Sequence, residues 1–259
     1  MKTYRTPKNK ALYKQFDSRW GNLLYPSKPS TLASSGCGCV AVTHCAIERA
    51  RYSNYTPKDV YPFMKNYAVV GHGTEWKGID EGLKHYGLKN EKRLATMTEL
   101  WAEMKKGNVI GVLLMNNNTS PNGTLWTLHG HYVAILGLRI SKDGKKHWLY
   151  CKDSGGRNHD GWSQYETILK NCVNKIFVAE VPEDDIVLPS RGYFQYGDEG
   201  EDVKDIQSFL KKQGLYNGKI GGHYKSRTKR AVKKLQKKYG LKVDGLFGNE
   251  CLALYEKLK

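Results

Sequence analysis

The sequence predicts an α+β fold in which helices come first, antiparallel strands follow, and a small helical segment closes the chain. Three observations predict it. Residues 37–107 hold several helix-compatible segments, each closed by a glycine or a polar break. Residues 108–181 hold four apolar runs rich in β-branched residues, separated by polar turns. Residues 197–259 repeat one helix-and-turn pattern twice. Helices grouped before strands point to α+β rather than to alternating βαβ units.

The elements follow in order. Residues 11–33 contain Tyr13, Gln15, Phe16, Asp17 and Trp20, then a Ser/Pro/Lys stretch, and read as an extended segment feeding a loop. A Gly36-Cys-Gly38 turn opens a helix expected from Cys37 to about Arg51, with Val40, Val42, Ala46 and Ile47 facing inward. Thr56 is placed to cap a second helix, with Pro57 at its first position. Gly78 to Gly87 and Met97 to Lys106 make two more, stopped by Gly87 and Gly107. Asn108–Met115, His131–Ile140, His147–Lys152 and Lys175–Val181 are the four expected strands, with a hairpin turn at Lys142-Asp-Gly144. Pro182 to Gly192 is acidic and carries two prolines, so residues 182–196 read as a linker between a domain at 1–181 and another at 197–259.

Composition bounds the function. The chain has 259 residues, a hydrophobic fraction of 39% and six Trp, enough for a real core. Its formal net charge of +17 suits a polyanionic partner such as nucleic acid, an acidic lipid surface or an anionic wall polymer. The six cysteines are scattered, with no C-x-x-C pair and no zinc-type spacing, so neither a disulfide framework nor a metal or other cofactor is expected. No apolar run is long enough for a membrane span, and the basic N-terminus leads into no apolar signal segment. The expectation is a monomer made in a cytoplasm without stable membrane insertion, reaching any wall only after release.

The C-terminal repeat sets Val203, Gln207, Leu210 and Gly214 against Val232, Gln236 and Gly240, and ends in Val243-Asp-Gly245 and Gly248. This ordered set resembles the peptidoglycan-binding domain 1 family, a three-helix module. Gly221, Lys225 and Cys251 depart from the family's usual Asp, Gly and Thr. The segment carries a net charge of +7, and Lys233, Lys234, Lys237 and Lys238 offer a phosphate-binding alternative. No base-reading helix or stacking motif supports nucleic acid. The resemblance implies peptidoglycan or anionic wall polymers as partner.

The Gly36-Cys-Gly38 turn places a thiol at a helix mouth, where free N–H groups and the helix dipole favour a thiolate. Small buried cysteines in a core helix are the alternative. A nucleophilic thiol needs a base, and the base an orienting partner. His129 and His131 open the second strand and Asp153 closes the third, so neighbouring antiparallel strands can bring a His and an Asp together at one sheet end. Cys39 rivals Cys37, and His129 rivals His131; His44 lies inside the helix and reads as structural or as a neighbour of the site.

The order of these motifs resembles the C39-like family of papain-type cysteine peptidases over residues 10–181. Gln15-x-Asp17-x-x-Trp20, Gly36-Cys-Gly38, Gly130-His-Tyr132 and Lys152-Asp153 carry the likeness. Cys39 stands where the family has proline. The resemblance implies a papain-like domain with Cys37 as nucleophile, His131 as base and then acid, Asp153 as orienting carboxylate and Gln15 as oxyanion donor. With the C-terminal module it implies a phage endolysin that hydrolyses an amide bond of the wall, a stem or cross-bridge peptide bond being favoured. The N-acetylmuramoyl-L-alanine amide is the alternative bond. A non-catalytic wall-binding protein is the alternative of another class, and an autolysin or secreted antibacterial toxin a further one.

Overall fold

In a computed structural model, residues 1–49, 52–157, 159–182, 186 and 188–258 are described. The chain divides into two compact units, residues 1–182 and 183–259.

The first unit is built on a seven-stranded antiparallel sheet. Its strands are β1 (Lys2–Arg5), β4 (Lys89–Leu94), β5 (Val109–Met115), β6 (His131–Ile140), β7 (His147–Asp153), β8 (Gly161–Gln164) and β9 (Val173–Glu180). They lie in the order β4-β9-β5-β6-β7-β8, with β1 paired to the far half of β6. A small hairpin, β2 (Ala68–Val69) and β3 (Gly73–Thr74), stands apart. The helices are α1 (Leu32–Ser35), α2 (Cys37–Ala46), α3 (Pro57–Met64), α4 (Trp76–His85) and α5 (Met97–Met104).

Both faces of the sheet are covered. Ile110, Val112, Tyr132, Ala134 and Leu136 pack into a core with Cys39, Val42, Val60, Ile79 and Leu83 from the helices α2–α4. Val109, Leu113, Val133, Ile135 and Leu138 pack into a second core with Leu100, Trp101 and Met104 of α5. Double coverage explains why β5 and β6 are continuous apolar runs rather than alternating ones. The α+β arrangement of helices and antiparallel strands agrees with the sequence reading.

Three strands of the main sheet escaped that reading. Strand β4, Lys-Asn-Glu-Lys-Arg-Leu, is polar and mostly exposed because it is a sheet edge, where charges discourage pairing with other chains. Strands β1 and β8 are four residues each and lie beside long partners that supply the register. The first helix is also shorter than expected: α2 ends at Ala46, and Ala50 and Arg51 lie outside the described residues. Glu48 turns away to accept hydrogen bonds from Lys8 N (2.9 Å) and Asn9 N (3.2 Å) and to pair with Arg5 at 2.6 Å. Every residue of α2 from Gly38 to Ala46 is buried, so it is a central helix without a solvent face. The other helix signals hold: Asp59 accepts from the Thr56 N–H at 2.8 Å, and Gly87 and Gly107 stop their helices at positive φ.

The second unit holds α6 (Glu201–Lys212), α7 (Ser226–Lys238) and α8 (Asn249–Leu258), with β10 (Tyr193–Phe194) paired to β11 (Phe247–Gly248). Ile186 and Phe194 lie in its core, so the described part of residues 182–196 is not a free tether; Glu183, Asp184, Asp185 and Val187 lie outside the described residues. Removing those two apolar side chains from water favours docking this stretch on its own unit.

The repeated glutamines explain the repeated turns. Gln207 Oε1 accepts from Gly221 N (2.9 Å) and Gly222 N (3.1 Å), and its Nε2 donates to the His223 carbonyl. Gln236 does the same one repeat later, accepting from Gly245 N at 2.8 Å and donating to the Leu246 carbonyl. Gln207→Ala is expected to destabilise the second unit by about 2 kcal/mol, because buried amide donors lose their acceptor. A lower urea midpoint of that unit in the full chain is the measurement.

Candidate active site

Cys37 is the first residue of α2, and Gly36 is its N-cap. Both flanking glycines are required by close approach. A Cβ on Gly36 would come 2.6 Å from the Leu32 carbonyl oxygen, and one on Gly38 would come 2.5 Å from Thr74 Cβ. The turn therefore presses the helix mouth against α1 and β3 at once. Cys37 is half-buried and lines an open cleft of about 740 Å³.

The sheet register brings the other groups there. Asp153 pairs across β6–β7 with Val133, two residues from His131. Diagonal neighbours of this kind share a face and lie within reach of long side chains. His131 Nε2 and Asp153 Oδ1 are 2.6 Å apart, and both residues are buried. Cys37 and His131 line the same cleft, and the imidazole acts on the thiol electrostatically. Since Nε2 faces Asp153, Nδ1 is the ring nitrogen left for the sulfur.

The electrostatics favour an ion pair. Burial pushes the Cys37 thiol up, but the His131 imidazole and the backbone N–H groups of Tyr132 and Gly38 bring it below its ordinary value. Burial pulls His131 down, but Asp153 and the Cys37 sulfur raise it to about 10. Burial would raise Asp153, yet the imidazolium and the amides of Gly155 and His159 hold it far below the usual carboxylate range. Thiolate and imidazolium thus stabilise each other between two limits of pH.

Gln15 lines the same cleft. Its Nε2 donates to the Ala33 carbonyl at 2.7 Å, which leaves its second hydrogen for another acceptor. Its backbone N–H donates to the Ser154 carbonyl at 3.0 Å, and the Ser154 hydroxyl donates to its Oε1 at 3.2 Å. So the structure brings Gln15, Cys37, His131 and Asp153 together.

The rivals separate. Cys39 is fully buried in the helix-side core, and burial pushes its thiol far up. His129 is exposed at the cleft rim, where its backbone N–H donates to Thr127 Oγ1. His44 is fully buried, and burial holds its imidazole well below the usual range. Its Nε2 accepts from Tyr13 N at 3.0 Å, so it anchors the segment that leads into Gln15.

Several supporting residues were given no role of their own by the sequence. Lys14 Nζ donates to the carbonyls of Asp153 (2.7 Å) and Gly155 (3.2 Å) and pairs with Asp160. Asp160 in turn accepts from Asp153 N at 2.7 Å. Lys152 is buried and donates to the Asn9 and Ala11 carbonyls. Gly155 is needed for room, since a Cβ there would meet Asp153 Oδ1 at 3.1 Å and His131 Nε2 at 3.2 Å. Isolated Lys, Asp and Gly residues are too common in loops for such roles to be read from spacing. Among the described residues no group of three or more His, Cys, Asp or Glu is placed to hold a metal ion.

Cys37 is expected to be the first thiol alkylated by iodoacetamide at mildly acidic pH, because thiolate reacts and thiol does not. Peptide mass spectrometry reads the order of modification; equal labelling of Cys39 would contradict the assignment of the reactive thiol.

Comparison with known proteins places the C-terminal segment. Residues 199–254 match the family described as "Putative peptidoglycan binding domain", so a domain of this type is present. A spore cortex-lytic enzyme of Bacillus cereus is 38% identical over 73 residues, covering 28% of this chain and 28% of that protein. The N-acetylmuramoyl-L-alanine amidase CwlM of Mycobacterium tuberculosis is 39% identical over 62 residues, covering 23% of this chain and 15% of that protein. The chain thus spans less than a third of the length of either relative. The crystal structure of the SleB N-terminal domain matches at 41% identity and a TM-score of 0.25, over 26% of this chain and 93% of that one.

Proposed function

We propose that the first unit is a papain-like cysteine hydrolase of the C39-like type, cutting an amide bond of peptidoglycan while the second unit holds the enzyme on the wall. The observation that supports this reading is that Cys37 and His131 line one cleft while Asp153 Oδ1 lies 2.6 Å from His131 Nε2.

The steps follow from the geometry. The Cys37 thiolate attacks the amide carbonyl. The oxyanion that develops is met by the Cys37 N–H, a first-turn amide without an intrahelical acceptor, and by Gln15 Nε2. The His131 imidazolium gives its proton to the leaving amine, and a thioester remains on Cys37. Neutral His131 then takes a proton from water as the water attacks the thioester. The acid leaves and the ion pair is restored. Asp153 keeps the ring oriented and stabilises its cationic form throughout.

The favoured bond is a peptide bond of the stem or cross-bridge, since the sequence likeness is to peptidases; the muramoyl–L-alanine amide would use the same groups. On this reading the enzyme is an endolysin, made in the host cytoplasm and acting on the wall after release. Mass spectrometry of digested walls is expected to find new peptide amino groups; free muramic carboxyl ends instead would assign the amidase. The full chain carrying Cys37→Ala is expected to pellet with purified peptidoglycan, and failure to pellet would remove the wall-binding role of the second unit.

A further inference from the structure

The cleft that holds Cys37 has a lining with a distinct chemistry. Its described residues include no Asp, Glu, Lys or Arg. Instead, neutral hydroxyl and amide groups predominate, among them Ser34, Thr127, Asn117 and Asn174. One large aromatic, Trp76, also lines it and stays 45% exposed at the start of α4. The Lys175 ammonium sits 4.8 Å from the indole centroid, a cation–π contact.

An indole left this open in a concave site normally covers an apolar surface when the site is filled. The cations near the cleft are the His131 imidazolium, which the proposed reaction uses, and Lys175 against Trp76, too few to single out an anionic peptide. A pyranose ring fits both features. Its C–H face stacks on the indole, while its hydroxyl and acetamido groups meet the amides and hydroxyls around it.

We infer that Trp76 forms a sugar subsite, so that the substrate is an N-acetylhexosamine-bearing peptide rather than a free cross-bridge. This inference rests on reading the cleft as a peptidoglycan-hydrolase site, and it places the cut amide on the sugar-bearing stem. The Gly71 and Gly73 hairpin beside Trp76 leaves the ring accessible, since neither glycine adds a side chain to that wall.

The test uses the full chain carrying Cys37→Ala and two ligands: N-acetylmuramoyl tripeptide and the same tripeptide without the sugar. Calorimetry is expected to give about tenfold tighter binding of the sugar-bearing ligand, the order of one aromatic stacking contact. Adding Trp76→Ala should erase that preference, and Trp76→Phe should keep most of it. Unchanged melting curves show that the variants are folded. Equal affinities, no measurable binding of either ligand, or a sugar preference that survives Trp76→Ala would each overturn the subsite. Wall hydrolysis by the parent chain and its loss in Cys37→Ala report separately on the proposed reaction, so hydrolysis without sugar preference removes only this inference.

Discussion

Cys37→Ala is expected to lower wall hydrolysis by at least about a thousandfold, the scale of removing a covalent nucleophile. The loss should come without unfolding. Cys37 is half-buried at the helix mouth, and its backbone amide, Gly36 and Gly38 stay where they are. Turbidity loss of purified walls measures the rate, and a thermal melt checks the fold. Cys39→Ala is the matched control. It removes a thiol sealed in the core, so it should cost about 1 kcal/mol of stability and leave the rate within about twofold. A Cys37→Ala chain that lyses walls as fast as its parent would end the cysteine mechanism.

Asp153→Asn is the second large effect, expected to slow hydrolysis about a hundredfold and to narrow the pH range of activity. In the proposed mechanism the working form needs Cys37 as thiolate and His131 as imidazolium. It exists above the depressed Cys37 value and below the raised His131 value of about 10. Asp153 is the first of the groups that raise His131. With a neutral amide in its place, His131 falls back toward its ordinary 6.5, so activity is lost at lower pH on the alkaline side. The weaker imidazolium also supports the thiolate less, so the acidic limb moves up. A pH–rate profile of kcat/KM measures both limbs. An alkaline limb that stays in place would show that the Asp153 charge does not govern the base.

The residues that the structure brings together at the cleft carry local signatures in the sequence. A Gly-Cys-Gly turn before an apolar run marks a thiol at a helix mouth, and Gly130-His131-Tyr132 marks a His at a strand start. From the residues alone the two rivalries stayed open, and only the family likeness favoured Cys37 and His131. Cys39 lies only two residues from Cys37, and both are small thiols in one helix. Only the packing of α2, buried on every side past its first residue, seals Cys39 away. The Lys14–Asp160 pair that clamps the Asp153 loop joins residues 146 positions apart, and no local pattern encodes such a contact.

The sequence by itself determined the α+β succession of helices and strands and the glycine stops. These depend on backbone propensity, capping and short-range hydrogen bonds, which act within a few residues. The tertiary structure decided which thiol faces the cleft, which edge strands complete the sheet, and how the N-terminal arm carries Gln15 to Cys37. Those outcomes depend on sheet register and close packing between distant segments. Their free energy resides in no single stretch of chain, so it becomes readable only once the whole first unit is assembled.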